Sequence, residues 1–218
     1  MTSACWRVWL QARGRTQVFT GLVQGIGRIV AVAPLAVDGG VRLTIDARDV
    51  AGFRIDVGAS VAVAGACMTA VRVDGTTFAV DTSKESLART TGLDTVGEVN
   101  LETSMRLGDA LDGHLVAGHV DGVGEVVAMT QMHESWELIV RVPTELARFF
   151  AYKGSVAVDG VSLTVNRVTD SARGCEFSVN VIPHTHRITT LRSLCAGDRV
   201  NIEVDLIARY VERMLSLR

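Results

Sequence analysis

Two segments of the chain carry side chains that could attack an electrophile or transfer a proton. GACMT contains Cys67, and VDGVSLT contains Asp159 and Ser162. A carboxylate with hydroxyls beside it suits nucleophile activation or proton transfer. The common alternatives are a small buried hydrophobe for a lone cysteine and a turn residue for an aspartate before glycine. The first segment has Ala64 at the position that matches Asp159, so we expect the two segments to differ in their chemistry.

Two histidines and another aspartate are further candidates for proton transfer. His114 and His119 are five residues apart, a step that does not favour a shared metal ion, and we expect no metal site. We interpret His114 as structural, and a structural role is also the commoner one for a histidine such as His119. Asp205 in EVDLI could be an active-site acid or the N-cap of a following helix, and its sequence context fits both.

Four segments, which include several of these residues, occur twice in the same order with an offset of 95 to 101 residues. One such pair could arise by chance in a chain rich in glycine and valine, but four ordered pairs predict an internal duplication. The pairs are GLVQGIGRI (21–29) with GHVDGVGEV (118–126), VAVAGACMTAV (61–71) with VAVDGVSLTVN (156–166), FAVDTSKESLARTT (78–91) with FSVNVIPHTHRITT (177–190), and GEVNLE (97–102) with GDRVNIE (197–203).

The local pattern within each copy predicts short β-strands. Runs such as VRLTIDARDV (41–50) and SWELIVRVP (135–143) alternate apolar and polar residues and are bounded by turn residues. VDGTTFAVD (73–81) predicts a hairpin around its Asp-Gly pair. Several short strands at this spacing indicate a sandwich or a small barrel. PTELARFF (143–150) is a candidate for a short helix.

The end of the chain follows a different pattern. VDLIARYVERMLSLR (204–218) places its apolar residues on one stripe at helical spacing, which predicts an amphipathic helix. This helix could pack on its own barrel or assemble subunits, and periodicity favours neither. The stripe consists of Ile207, Tyr210, Val211, Met214 and Leu217.

Composition excludes several classes of protein. A chain of 218 residues that are 48% apolar can bury a sizeable core. A formal net charge of -2 and an aromatic content of 5% oppose an oligonucleotide-binding barrel, which needs a basic groove with stacking aromatics. We expect neither a nucleic-acid nor a membrane partner. The four cysteines form no CxxC pair, which is typical of thiols in a reducing cytoplasm.

The motifs closely resemble the riboflavin synthase family over residues 18–218. The resemblance implies an all-β fold of two similar six-stranded antiparallel Greek-key barrels, at 18–106 and 107–203, with a C-terminal trimerisation helix at 204–218. It also implies a homotrimer with each active site between the N-terminal barrel of one subunit and the C-terminal barrel of a neighbour. The motifs are VFTGLVQGIG (18–27), GHLVAGHVDGVG (113–124), YKGSVAVDGVSLTVN (152–166), FSVNVIPHT (177–185) and VNIEVDLIARYVERML (200–215).

The first 17 residues match nothing later in the chain and have no apolar region of a signal peptide. We expect them to lie outside the fold. Chains of the family begin Met-Phe-Thr-Gly, whereas here Val18 precedes Phe-Thr-Gly. A GUG start codon would be read as methionine, so we hypothesise that the natural chain starts at Val18. The intact mass of the native protein tests this hypothesis.

The resemblance implies a dismutation of two bound molecules of 6,7-dimethyl-8-ribityllumazine. A four-carbon unit moves between them, which yields riboflavin and 5-amino-6-(D-ribitylamino)uracil. The conjugated ring of the substrate stabilises the intermediate anion, so no cofactor is expected. Lumazine synthase is a candidate partner. The rival interpretation is a non-catalytic lumazine- or flavin-binding fluorescent protein of the same fold, which would bind its ligand without turnover.

The resemblance also implies which residues form the site. The catalytic candidates are Phe19, Cys67, His119, Asp159, Ser162 and Asp205. The glycines of two loops should allow close approach of the backbone to the ring. Lys84 has a surface position as its default interpretation, whereas Lys153 is expected to contact the ligand. The substrate-binding candidates are Gly21, Leu22, Val23, Ser60, Ala66, Met68, Thr69, Asp81, Thr82, Ser83, Lys84, Glu85, Ser86, Gly118, Lys153, Leu163, Thr164, Ile182, Pro183, His184 and Thr185.

Overall fold

The computed structural model describes residues 18–35 and 39–217. The expected N-terminal extension at 1–17 lies outside these described residues. Within them, twelve strands close into two six-stranded antiparallel barrels, and a helix follows the second barrel. The predicted all-β architecture of a double barrel with a C-terminal helix is therefore confirmed.

The first barrel closes in the order β1-β2-β5-β4-β3-β6, and every pairing in it is antiparallel. The turn between β4 and β5 lies at the predicted Asp-Gly pair, where Gly75 has a φ of +60°. The strands are β1 (Gly25–Pro34), β2 (Val41–Asp46), β3 (Ser60–Val63), β4 (Ala66–Asp74), β5 (Thr77–Thr82) and β6 (Gly97–Thr103).

The second barrel repeats the topology of the first, strand for strand. Its cyclic order is β7-β8-β11-β10-β9-β12. Bulges interrupt the ladders of β1 and β4 in the first barrel and of β7 and β10, their equivalents, in the second. Bulges increase local twist and bend strands, as barrel closure requires. The strands are β7 (Gly122–Met132), β8 (Ser135–Val142), β9 (Ser155–Val158), β10 (Val161–Ser171), β11 (Gly174–Val181) and β12 (Arg199–Val204).

A helix follows each of three strands, β5, β11 and β12. Helix α1 (Lys84–Arg89) follows β5, α2 (Pro183–Ile188) follows β11, and α3 (Leu206–Leu215) follows β12. The helix candidate at 143–150 is a 3-10 helix, Thr144–Phe149. None of its side chains is fully buried and it has no side-chain cap, and such short segments often adopt the tighter 3-10 geometry. A second 3-10 turn spans Thr190–Ser193.

Each barrel has its own apolar core, built mainly from valine, leucine and isoleucine. The inward-facing side of each strand supplies these residues, as period-2 alternation requires. Phe78 and Phe177 occupy equivalent positions and are both about fully buried, with 1% exposure. A third, smaller cluster of Phe19, Ala62, Val116 and Ala157 lies between the barrels. The two halves thus share this cluster, and Val23 and Val120 each pack with the core of the opposite half.

Helix α3 presents an apolar face that the described part of the chain leaves exposed. Ile207, Tyr210 and Met214 are 64 to 71% exposed. Helix α3 is attached to the 3-10 helix Thr144–Phe149 by an ion pair of 2.9 Å between Arg148 and Glu212. A cleft of about 690 Å³ lies between these two elements. Among the described residues, no helix is long and apolar enough to cross a membrane.

Candidate active site

A cavity of about 270 Å³ opens between the first barrel and the start of the second copy. Strands β4 and β5 and helix α1 form most of its wall, and the loop that leads into β7 completes it. The cavity therefore contains residues from both halves of one chain. Its lining residues are Ala66, Cys67, Met68, Asp81, Thr82, Glu85, Ser86, Arg89, Thr90, Gly118, His119 and Val120.

Seven of the site residues predicted in the first copy line this cavity: Ala66, Cys67, Met68, Asp81, Thr82, Glu85 and Ser86. The side chain of Ser83 caps α1 by accepting a hydrogen bond of 3.1 Å from the amide of Ser86. Lys84 is exposed in the first turn of that helix. Ser60 is buried, and Thr69, its partner in the β3–β4 ladder, is exposed.

Cys67 is half-buried on the cavity wall. Burial raises the pKa of its thiol, the hydroxyl of Ser60 lowers it, and the negative charge of Glu203 raises it further. The thiol is therefore neutral near pH 7, since the ordinary value is already 9.0. A neutral thiol donates or carries a proton more readily than it attacks as a thiolate.

Two glycine loops join the copies by an exchange of backbone hydrogen bonds. The carbonyl of Gly118 accepts from the amide of Cys67 at 2.8 Å, and the carbonyl of Gly21 accepts from the amide of Ser162 at 2.8 Å. Both glycines have positive φ, +76° and +74°. A Cβ at Gly118 would lie 2.5 Å from Cys67 Cβ, and one at Gly21 would lie 2.6 Å from Ser162 Cβ. Glycine is therefore required at both positions because each loop lies directly against the segment of the other copy that carries Cys67 or Ser162.

A buried glutamate holds each glycine loop, and the sequence analysis did not identify either one. Glu102 accepts hydrogen bonds from the amides of Thr20 and Gly21 at 2.7 and 3.0 Å. Glu203 accepts from the amides of Ala117 and Gly118 at 2.7 and 2.9 Å. Both glutamates end the repeated GEVNLE and GDRVNIE segments, which is the signal that could have found them.

Burial raises the pKa of Glu203 to about 7, against the two amide hydrogen bonds that lower it. The folded state thus favours the protonated form of Glu203. The stability that this preference adds is complete below the ordinary pKa of 4.5 and is lost as the pH rises through about 7. We therefore expect the unfolding free energy of Glu203→Gln to fall less between pH 5 and 8 than that of the parent chain, by on the order of 2 kcal/mol.

Denaturant unfolding at several pH values measures this effect. Glu134→Gln is the control, because Glu134 is exposed in the β7–β8 turn. The same pH slope in Glu203→Gln and in the parent chain would contradict the prediction.

In the second copy, Ser162 contacts a histidine from the linker between the barrels. Its Oγ lies 2.7 Å from Nδ1 of His114. Burial lowers the pKa of His114, and the charge of Asp205 partly offsets this effect. His114 Nε2 is buried and has no hydrogen-bond partner among the described residues. A hydroxyl, a neutral imidazole and a nearby carboxylate thus come together here, although the sequence analysis interpreted His114 as structural.

The other two carboxylates of interest make contacts typical of structural roles. Asp159 lies in the tight turn between β9 and β10 with a φ of +46°, and its Oδ1 accepts from the amide of Asn201 at 2.7 Å. Burial raises the pKa of Asp159 to about 7. Asp205 caps α3 by accepting from the amide of Ile207 at 2.8 Å. This N-cap is compatible with the charge that Asp205 also exerts on His114.

The remaining predicted residues lie at the equivalent face of the second copy or between the halves. Phe19 is fully buried and bridges to Val116. Lys153 has a φ of +63° and donates to the side chain of Asn166 at 3.0 Å. Leu22, Thr164, Ile182, Pro183 and His184 are exposed, Thr185 is half-buried, and Val23 and Leu163 are buried. Within the described ranges, no group of three or more His, Cys, Asp or Glu side chains could hold a metal ion.

Comparison with known proteins agrees with this arrangement. The family model described as the lumazine binding domain matches twice, at residues 20–104 and 117–205. The riboflavin synthase of Photobacterium phosphoreum is 40% identical over 200 residues, which cover 91% of this chain and 89% of that one. The riboflavin synthases of Brucella abortus and Mycobacterium bovis are 42 and 43% identical and are each covered to 98%.

Solved structures show the same fold. LumP complexed with 6,7-dimethyl-8-(1'-D-ribityl) lumazine superposes with a TM-score of 0.71 at 23% identity, over 85% of this chain and 98% of that one. LumP complexed with riboflavin superposes with a TM-score of 0.73 at 24% identity and the same coverage. With the two domain matches and the sequence identity to the synthases, these findings show that the chain belongs to the riboflavin synthase family.

Proposed function

We propose that the chain is a riboflavin synthase. In this reaction two molecules of 6,7-dimethyl-8-ribityllumazine give riboflavin and 5-amino-6-(D-ribitylamino)uracil by transfer of a four-carbon unit. The atoms balance between two identical substrates, so no added oxidant or reductant is required. The observation that carries the proposal is an identity of 40 to 43% with riboflavin synthases over about nine-tenths of the chain.

The first copy offers a pocket that would hold one lumazine. Its cavity is lined by the apolar residues Ala66, Met68 and Val120 and by polar groups from β5 and α1. Apolar walls with a few placed polar groups are typical of small-molecule sites. Cys67 would act there as a neutral hydrogen-bond donor or proton carrier, and His119, on the loop that closes the cavity, is the second candidate for proton transfer.

The second copy offers a general base that is neutral near pH 7. A neutral His114 accepts the proton of the Ser162 hydroxyl through Nδ1 when Ser162 attacks or relays a proton. The imidazolium that forms would be stabilised by the negative charge of Asp205. This division of roles gives each copy a different chemistry, as the reaction of a donor and an acceptor requires. Holding the two rings together supplies the effective concentration.

We further propose that the two copies work together across subunits of a homotrimer that assembles through α3. Support comes from the exposed apolar stripe of that helix. Met214→Asp is expected to convert trimers into monomers in sedimentation velocity, because it puts a charge at the centre of the contact. Arg213→Asp is the matched control, since Arg213 is an exposed polar position beside it. Trimers of unchanged stability in Met214→Asp would refute assembly through this face.

The cysteine composition supports a cytoplasmic location for the enzyme. Supply of the lumazine substrate makes lumazine synthase a candidate partner. Co-sedimentation of the two purified proteins tests that pairing, and independent sedimentation at micromolar concentration would count against it.

Incubation of the purified chain with the lumazine tests the catalytic proposal directly. Chromatography should detect riboflavin and the ribitylaminouracil in a ratio of one to one. The second candidate function is a ligand-binding protein without turnover, which the fold shared with LumP favours. Saturable binding of the lumazine with no riboflavin formed would support that alternative and overturn the synthase.

A further inference from the structure

Two buried asparagines connect the halves of the chain in a crossed pattern. Asn100 in β6 and Asn201 in β12 occupy equivalent positions of the two repeats, and both are 1% exposed. Each side chain makes its hydrogen bonds to backbone groups of the opposite half. A buried amide has four hydrogen-bonding capacities to satisfy, so such contacts specify its position tightly.

Asn201 belongs to the second barrel and holds two backbone segments of the first. Its Oδ1 accepts from the amide of Thr91 at 2.7 Å, and its Nδ2 donates to the carbonyls of Thr91 and Ala64 at 3.2 and 3.0 Å. Thr91 lies two residues beyond the end of α1, and Ala64 lies in the β3–β4 turn that precedes Cys67. The side chain of Asn201 thus bonds to the two backbone segments that adjoin the residues lining the 270 Å³ cavity.

Asn100 does the same for the second barrel. Its Oδ1 accepts from the amide of Thr190 at 2.8 Å, and its Nδ2 donates to the carbonyl of Asp159 at 2.9 Å. Thr190 follows α2, and Asp159 lies in the β9–β10 turn that precedes Ser162. The pattern is therefore symmetric between the halves.

The two turns that accept these hydrogen bonds pack directly against each other between the barrels. Ala64 and Asp159 both have a φ of +46°, and the glycines after them touch across the interface. A Cβ on Gly65 would lie 2.6 Å from the amide nitrogen of Gly160. Such close backbone packing leaves the turns little freedom to shift.

Helix α1 depends on an anchor of this kind. It has six residues, of which only Leu87 packs in part against the core of the first barrel, and a single isolated turn and a half of helix is unstable in water. Ser83 caps its start, and Thr90 bonds back to the carbonyl of Ser86 at its end. The cavity wall includes Glu85, Ser86 and Arg89 of this helix, so the position of α1 sets the shape of the cavity.

We propose that Asn100 and Asn201 are positioning residues, each for the chemical segment and the short helix of the barrel to which it does not belong. Loss of Asn201 loosens α1 and the cavity that α1 lines, and loss of Asn100 loosens α2 and the turn that precedes Ser162. Each helix also has one further contact with its own barrel: Leu87 of α1 packs against the first core, and His186 of α2 stacks on Trp136 with ring centroids 3.7 Å apart. The identity of the ligand rests on the proposed function, whereas the crossed anchoring does not.

Hydrogen exchange in Asn201→Ala and Asn100→Ala tests the anchoring, and each variant is the control for the other. In Asn201→Ala we expect amide exchange in residues 84–91 to accelerate about tenfold or more, with residues 183–190 within about twofold of the parent. Asn100→Ala should show the reverse pattern. Equal acceleration of both segments in each variant, or acceleration on the same side as the substitution, would overturn the proposal. Should an alanine variant not fold, serine at the same position gives the same comparison.

Titration with 6,7-dimethyl-8-ribityllumazine, followed by exchange protection of the same two segments, tests the link to binding. The concentration for half-protection of residues 84–91 should rise about tenfold in Asn201→Ala, with that for residues 183–190 unchanged. Unchanged concentrations for both segments would overturn the positioning role. A parent chain in which the lumazine protects neither segment would refute the proposed ligand, while exchange without ligand still decides the anchoring.

Discussion

His114→Gln is expected to lower kcat for the proposed dismutation about 10²- to 10³-fold, with the dissociation constant of the lumazine within about threefold of the parent value. The reason is the 2.7 Å contact between His114 Nδ1 and Ser162 Oγ, because the tautomer with the proton on Nε2 leaves Nδ1 to accept the hydroxyl proton. Burial lowers the pKa of His114, so the base is present in its neutral form at pH 7. Steady-state measurements at saturating substrate give kcat, and an equilibrium titration gives the dissociation constant.

The matched control for this prediction is His133→Asn. His133 is an exposed histidine of the β7–β8 turn with a φ of +57°, a conformation that asparagine tolerates. It should leave kcat unchanged. Ser162→Ala should reproduce the loss seen in His114→Gln, and the double variant should lose little more, because groups that act as a unit are not additive. Additive losses, or full activity in His114→Gln with a normal unfolding transition, would remove His114 from the mechanism.

The fold could be predicted well because local sequence patterns reveal the duplication. The repeated glycines, the alternating runs and the Asp-Gly hairpin each depend on residues close in sequence, and the resemblance to a family supplied the closed topology. Helices α1 and α2 were missed as helices, although both carry start signals. Ser83 is a capping residue with Glu85 in the first turn, and Pro183 is the first residue of α2.

The site was predictable only in part. The segment around Cys67 was identified because its residue types suggest chemistry and because the family resemblance implies a pocket there, and Cys67 lines a cavity in the structure. The pairing of Ser162 with His114 joins residues 48 apart in sequence, and the glutamates that hold the glycine loops lie 81 to 86 residues from their partners. No local periodicity reports such contacts, because they arise only when the two barrels pack.

The same packing explains why Asp159 is ambiguous as a catalytic candidate. The asymmetry between Asp159 and Ala64 suggested chemistry, yet the carboxylate of Asp159 binds the backbone of β12. Ala64 occupies the equivalent turn with the same φ of +46°. The turn geometry therefore does not require an aspartate, and the extra hydrogen bond stabilises only one of the two turns. Asp159→Asn, which can still accept this bond, separates a structural role from proton transfer.

The largest loss of stability is expected at the glycine that joins the two halves beside Cys67. Gly118→Ala should lower the unfolding free energy by about 2 to 5 kcal/mol, the sum of a left-handed conformation for an L-residue and of overpacking. Its φ is +76°, and the new Cβ would lie 2.5 Å from Cys67 Cβ and 2.8 Å from the Cys67 amide. Since Cys67 and Gly118 share the cavity wall, turnover should fall as well.

Gly92→Ala separates the two contributions, because it has nearly the same φ, +77°, with nothing within 4 Å of the added Cβ. It should cost only the conformational part, about 1 to 2 kcal/mol, and leave turnover near the parent value. Equilibrium denaturation of both variants gives the difference that the contact between the halves contributes. Equal costs at the two positions would mean that the loop at Gly118 can move away from Cys67 freely. The cavity would then not depend on that loop, and the placement of His119 beside the thiol would lose its physical basis.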